Sequence, residues 1–142
     1  MKNRLQPRVH IMDMTISFPG GQKVQASFDG FVVETDQSVS SGGTGSAPDP
    51  FSLFLSSIGT CTGIYVLRFC EQRKIPTDEM SLLLTPIWND DGLIETIDIT
   101  IKTGKDFPKK YEDAVLKAAG LCTVKRHLDK PPKIQLSLKR PL

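Results

Sequence analysis

The sequence predicts an α+β fold. Three observations carry that reading: two short alternating runs joined by turn residues near the start, a long uncharged apolar run in the middle, and a second alternating pair followed by a helix and a last alternating run. The 142 residues fit one domain, residues 1–142, long enough to bury a core without staples. Hydrophobic residues are 39% and charged residues 24%, a globular balance. The net charge of +2 is too small, and the Lys and Arg residues too dispersed, to argue for nucleic acid.

Taken in order, IMDMTIS (11–17) alternates and reads as a strand, and Pro19-Gly20-Gly21 is turn chemistry. Val24, Ala26 and Phe28 alternate again and complete a hairpin. Asp29-Gly30 turns the chain into a third strand, Phe31-Val32-Val33. SVSSGGTGSAPDP (38–50) is a flexible loop leading into a helix. Asp49 is a capping residue and Pro50 suits the first helical position, so a helix runs from about Pro50 to about Lys74, stopping before Pro76. That helix is apolar around most of its circumference and should be surrounded by protein, either a sheet and other helices or a partner subunit. Pro50 to Leu67 carries no charge and approaches the length of a membrane span, but its Ser, Thr and Gly residues make it weakly hydrophobic, and a buried core helix is the better reading.

Ser81–Trp88 and Leu93–Lys102 read as a second hairpin around Asn89-Asp90-Asp91-Gly92, with Leu82 and Leu84 on one face and Ile97, Ile99 and Ile101 on one side. A second helix spans roughly 108–120 with Tyr111, Val115 and Leu116 in its stripe, and Gly120 can end it. LCTVKRHL is a short turn or helix, and Ile134 to Leu138 is a final alternating strand.

Three widely spaced cysteines and an N-terminus, MKNRLQPRVH, without the apolar core of a signal peptide suggest a reducing, cytoplasmic setting rather than a disulfide framework. No zinc spacing is present, and His10 and His127 lack a spaced partner for a metal. Asp49, Asp90 and Asp91 are explained by a helix cap and a turn. Each cysteine has an ordinary reading as a buried small hydrophobe. Cys61 has more context: Gly59 and Gly63 allow close approach, and Thr60 and Thr62 supply hydroxyls that could support a thiolate. Cys122 sits at the end of another helix, followed by Lys125, Arg126 and His127, which either lower its pKa or form a solvated basic turn. Cys70, nine positions after Cys61, falls on the opposite helical face and reads as structural.

Three stretches resemble the OsmC/Ohr family, and its OsmC-like branch most. GGTGSAPDPFSLFLSSIGTCTG (42–63) is similar to the family's Gly-rich loop, Pro, and long helix with a Leu-Gly-x-Cys-Thr pattern, filled here by Ile58 to Thr62. RKIP (73–76) is similar to the branch's close of that helix, and CTVKRHL (122–128) to its Cys-Pro-Val-His-Arg-x-Leu. With the matching element order, the resemblance covers nearly the whole chain. It implies an intertwined homodimer of two long-helix and antiparallel-sheet halves, with sites at the subunit interface. It further implies a thiol peroxidase: Cys61 attacks a small hydroperoxide and becomes a sulfenic acid, Cys122 resolves it to a disulfide, and an external dithiol restores the pair. No bound cofactor, membrane or nucleic acid is implied.

The chain departs from the peroxidase pattern where it matters. Phe51 stands where well-studied members carry Glu, and Val24 to Thr35 holds no Arg to pair with it. Thr123 replaces a Pro and Lys125 a His. Lys125, Arg126, His127 or Asp49 are then the candidates to support the thiolate, with Phe51, Thr60 and Thr62 near the pocket. The alternative reading keeps the dimer and its apolar pocket but makes it a binding module for a small apolar or thiol-containing ligand.

Overall fold

The computed structural model describes residues 12–141, so His10 and the beginning of the first expected strand lie outside the described residues. The element types follow the sequence reading, three strands, a long helix, two strands and two further helices, all strand pairs antiparallel. Contacts group the chain into two compact units that meet in sequence at Leu53 and Phe54.

The first unit is a sheet of β1 (Thr15–Gly20), β2 (Lys23–Phe28) and β3 (Phe31–Thr35) in sequence order. The β1–β2 register slips between Ser17 and Gly20, around Pro19, which has no N–H to give the ladder. β1 therefore runs on to Gly20 rather than ending at residue 17. The β2–β3 turn has Asp29 at φ 47° and Gly30 at φ 80°, the two positive values a tight two-residue hairpin requires.

Among the described residues of this unit only Asp36 is buried, and Ile16, Phe18, Phe31 and Val32 are exposed. The unit is organised by that carboxylate rather than by an apolar core. Asp36 accepts bonds from the backbone N–H of Gln37 (2.8 Å), Thr44 (3.1 Å) and Ser46 (3.1 Å), and from the hydroxyls of Thr44 (2.5 Å) and Ser46 (2.9 Å). These bonds, led by the Thr44 hydroxyl, outweigh burial and hold its pKa well below the usual carboxylate range. They fold the Gly/Ser loop back on the end of β3. Gly43 is tight in that fold: a Cβ there would lie 2.1 Å from the Gln37 carbonyl oxygen. The loop delivers Asp49 to the start of α1 (Pro50–Glu71), where its carboxylate accepts the N–H of Phe51 (3.0 Å) and Ser52 (3.1 Å) and the Ser52 hydroxyl (2.6 Å).

The second unit holds the apolar core. From Ile58 on, α1 buries Ile58, Thr62, Val66, Phe69 and Cys70, one stripe at helical spacing. Val66, Phe69 and Cys70 pack with Val115 and Ala119 of α2 (Glu112–Ala119), flanked by Leu82 of β4 (Ser81–Trp88) and Ile101 of β5 (Ile94–Lys102). Leu82 pairs with Ile101 and Leu84 with Ile99, the inward face expected of the second hairpin. By length and composition α1 could cross a membrane, and one stripe of it packs in the core. On other faces of the helix Ile64 and Leu67 are exposed.

α1 ends three residues earlier than the expected Lys74. Lys74 takes φ 55°, its N–H bonds the Glu71 carbonyl at 3.1 Å, and the Ile75 N–H bonds the Cys70 carbonyl at 2.9 Å. That left-handed stop closes the helix before Pro76 becomes the obstacle. Arg73 lies over the Phe69 ring at 3.7 Å and donates to the Phe69 carbonyl at 3.1 Å.

The expected 108–120 helix begins with a 3₁₀ turn at Lys109–Tyr111 before α2, and the chain then enters α3 (Thr123–Asp129). Cys122 therefore caps the start of a helix, a correction to its expected place at a helix end. The expected strand at Ile134–Leu138 is also corrected: among the described residues the segment has no ladder partner and no regular structure, and Ile134, Leu136 and Leu138 are 87%, 95% and 81% exposed.

Two outcomes follow. Phe69→Ala should cost about 3–5 kcal/mol of unfolding free energy in urea denaturation, since it empties the centre of the core. Asp36→Asn should lower the melting temperature and speed amide exchange across residues 38–46. Because the folded pKa of Asp36 is depressed, its contribution is full above the ordinary value of 3.8 and is lost as pH falls from there toward the folded value. The acid-side fall in melting temperature should therefore be shallower in Asp36→Asn than in the wild type.

Candidate functional site

Helical phase divides the two cysteines of α1. Cys70 is fully buried in the core, its thiol 3.9 Å from the Met80 sulfur. Burial pushes its pKa up, against a small opposing effect of Arg73. Cys61 flanks the buried stripe and is partly accessible. It faces α3, because Thr62 and Val66 turn the stripe toward α2 and the hairpin.

After Gly120 closes α2, Leu121 and Cys122 turn the chain so that α3 starts beside the middle of α1. Cys122 is fully buried at that start. Its sulfur accepts the Lys125 N–H at 3.4 Å, as an N-cap side chain does. Burial pushes the thiol pKa up, but four hydrogen bonds together outweigh it and the net shift is downward. They come from the Lys125 N–H, the Cys61 thiol, the Thr62 hydroxyl and the Val124 N–H. The Thr62 hydroxyl donates to the Ile58 carbonyl at 2.8 Å. All three cysteines are free thiols.

The structure thus brings together Cys61, Thr62 and Cys122. Within the second unit it does not bring Thr60, Arg126 or His127 to them. The Thr60 hydroxyl bonds the Ser56 carbonyl at 2.8 Å on an exposed face. Phe51 lies in the first turn of α1, in the first unit. Arg126 and His127 are exposed on α3, and the His127 Nδ1 bonds the Thr123 carbonyl at 2.8 Å. Lys125 pairs with Asp129 at 3.0 Å, an exposed i,i+4 ion pair. The backbone N–H of Lys125, rather than its ammonium, supports the sulfur.

Tyr65 was not singled out by the sequence. Its hydroxyl is 2.9 Å from the Thr123 hydroxyl and ties α1 to the first residue of α3. The available signal was spacing: Tyr65 is one helical turn after Cys61, and Thr123 adjoins Cys122.

A cavity of about 540 Å³ opens at Thr62, between Ile58 of α1, Ile94, Ile97 and Ile99 of β5, Leu116 of α2 and Leu128 of α3; neither cysteine lines it. Glu95, Lys125 and Asp129 supply its charged groups. Thr62 belongs both to the cavity wall and to the thiol cluster. Among the described residues no group of three or more His, Cys, Asp or Glu could hold a metal ion.

Comparison with known proteins places these features in context. The sequence model of a family described as OsmC-like protein matches residues 43–137. No curated protein matches the sequence. In structure, the chain is similar to a putative osmotic stress induced and detoxification response protein from Psychrobacter arcticus 273-4, with a TM-score of 0.67 at 18% identity over 80% of this chain and 85% of that one. It is similar to an OsmC-like protein from Mycoplasma pneumoniae, with a TM-score of 0.67 at 14% identity over 85% and 89%. A third likeness, with a TM-score of 0.53 at 14% identity over 84% and 90%, is to a Legionella pneumophila protein described as an organic hydroperoxide resistance protein OsmC and predicted redox protein. At these identities the likenesses speak to the fold.

Tyr65→Phe should cost about 1 kcal/mol of stability and slow any disulfide formation between Cys61 and Cys122, measured by quenched alkylation and mass spectrometry. Cys70→Ala should leave that reaction unchanged, and Cys70 should resist alkylation in the native protein.

Proposed function

The chain belongs to the OsmC-like protein family, and from that premise we propose that it is a thiol-dependent peroxidase acting on small hydroperoxides. The observation that carries the reading is the docking of α3 on α1, where the Tyr65–Thr123 bond at 2.9 Å brings Cys122, at the start of α3, to the part of α1 that carries Cys61, both of them free thiols. In the proposed cycle the Cys61 sulfur attacks the terminal oxygen of ROOH. The O–O bond breaks, Cys61 becomes a sulfenic acid and RO⁻ leaves to be protonated as the alcohol. Cys122 then attacks the Cys61 sulfur, forming the disulfide and releasing water. An external dithiol reduces the disulfide by exchange, and no bound cofactor takes part. The apolar cavity suits a substrate with a hydrocarbon body.

The working form is a homodimer in the cytoplasm, acting on neither membrane nor nucleic acid. Support for a second copy comes from exposed apolar residues: Ile64 and Leu67 on α1, and the alternating Ile134, Leu136 and Leu138, which have no strand to pair with among the described residues. The family's intertwined arrangement would cover both.

A second reading has its own observation. The cavity is large and lined mainly by Ile and Leu, which suits a dimer that binds a small apolar ligand without turnover.

Peroxide treatment of the wild type should give a Cys61–Cys122 disulfide by mass spectrometry. Cys61→Ser should abolish turnover with a dithiol, and Cys122→Ser should stop at a sulfenic acid that over-oxidises. If peroxide yields no such disulfide, the two-cysteine cycle is wrong. Saturable binding of an apolar fluorescent probe with no peroxide consumption would favour the second reading.

A further inference from the structure

The β4–β5 ladder carries a bulge at Glu95. Ile87 pairs with Thr96 and Trp88 with Ile94, so Glu95 has no partner across the ladder. That extra residue breaks the alternation of β5. Ile97, Ile99 and Ile101 line the cavity at every second position, and the bulge lets the adjacent Ile94 and Glu95 both line it as well. A carboxylate thus stands where the inward row of Ile would continue. Among the described residues it has no ion-pair or hydrogen-bond partner. The other polar side chains of the wall are engaged within the chain. The Lys125 ammonium bonds the Asp129 carboxylate at 3.0 Å, and the Thr62 hydroxyl donates to the Ile58 carbonyl at 2.8 Å. All else in the wall is Ile, Leu, Ala or Gly. With Lys125 and Asp129 cancelling, the wall keeps a single negative charge, that of Glu95.

We propose that this cavity binds a small amphiphilic cation, an apolar body carrying one ammonium head set against Glu95. The apolar body meets the Ile row of β5 and, across from it, Ile58, Leu116 and Leu128. A volume of about 540 Å³ is ample for such a molecule. Charge complementarity selects the head. An ammonium meets the one carboxylate left without a partner, whereas a carboxylate head meets Glu95 as a like charge and finds Lys125 already held by Asp129. Glu95 is exposed, so the head sits at the solvent side, where water and salt weaken the ion pair. Apolar contact therefore supplies most of the affinity, and Glu95 supplies the discrimination. Neither cysteine lines the cavity, so the proposal does not rest on the peroxidase reading. It rests on the cavity of the binding reading and adds the charge of the ligand.

Calorimetric titration of the full chain with octylamine, octanol and octanoate at neutral pH compares one apolar body with three heads. Octylamine should bind tightest and octanoate weakest. Glu95→Gln should weaken octylamine about fivefold and leave octanol unchanged. Added salt should weaken octylamine in the wild type and not in Glu95→Gln. Leu128→Lys adds a cation at an exposed position of the same wall, and it should weaken octylamine and strengthen octanoate. That result places the ligand in this cavity. Equal affinity for octylamine and octanol, or an octylamine affinity unchanged in Glu95→Gln, overturns the proposal and leaves the binding reading standing. If none of the three binds, both fail, and Glu95 is only a charge that keeps β5 from pairing with stray strands.

Discussion

The packing of one stripe of α1 on α2 and the β4–β5 hairpin sets the geometry of the second unit. Val66, Phe69 and Cys70 are held in the core with Val115 and Ala119. Once that stripe is buried, the phase of the helix is no longer free. Cys70 is turned inward beside Met80, and Cys61, half a helical turn away in phase, is left at the flank where α3 arrives. Thr62 then falls at the junction of core, cavity and thiol pair. Shifting the stripe by one residue would rotate Cys61 about 100° away from α3, so the apolar packing determines which cysteine can meet Cys122.

A buried thiol pair ordinarily loses its charge to desolvation. Here the opposing force is a set of neutral donors rather than a paired cation. Two of them are amides freed by the start of α3, which have no partner within the helix and are available to a sulfur at the cap. The Tyr65–Thr123 bond at 2.9 Å ties the same turn to α1. Backbone amides are rigidly placed and cannot be drawn off by solvent as an exposed Lys, Arg or His can. That makes them a dependable support where Lys125, Arg126 and His127 point outward.

The two units solve the burial problem differently. The first has one buried residue among those described, Asp36, whose five accepted bonds gather a loop too polar to collapse on its own. The second buries an apolar cluster but leaves Ile64, Leu67 and the Ile134–Leu138 alternation facing outward. Such surface is costly in water and is the kind a partner subunit covers.

Much of this was written in the sequence. Strand alternation, Asp29-Gly30, the Asp49-Pro50 start and Gly120 are local signals, and each produced its element because turn and cap chemistry acts over a few residues. The separation of Cys61 from Cys70 was legible as well, since helical phase is a matter of counting. Local signals failed where the partner was distant. The Ile134–Leu138 alternation is sound strand pattern, but a strand exists only with a ladder beside it. Cys122 looked like the end of one helix because the turn that makes it the start of the next depends on how α3 docks against α1. The importance of Asp36 was hidden for the same reason, since its donors reach it only after the loop has folded back. The sequence by itself determined the elements and the face each cysteine takes on its helix. Only the tertiary structure decided that α3 docks on the part of α1 that carries Cys61, because that depends on a contact between residues some sixty positions apart, and that the Lys125 amide rather than its ammonium bonds the Cys122 sulfur.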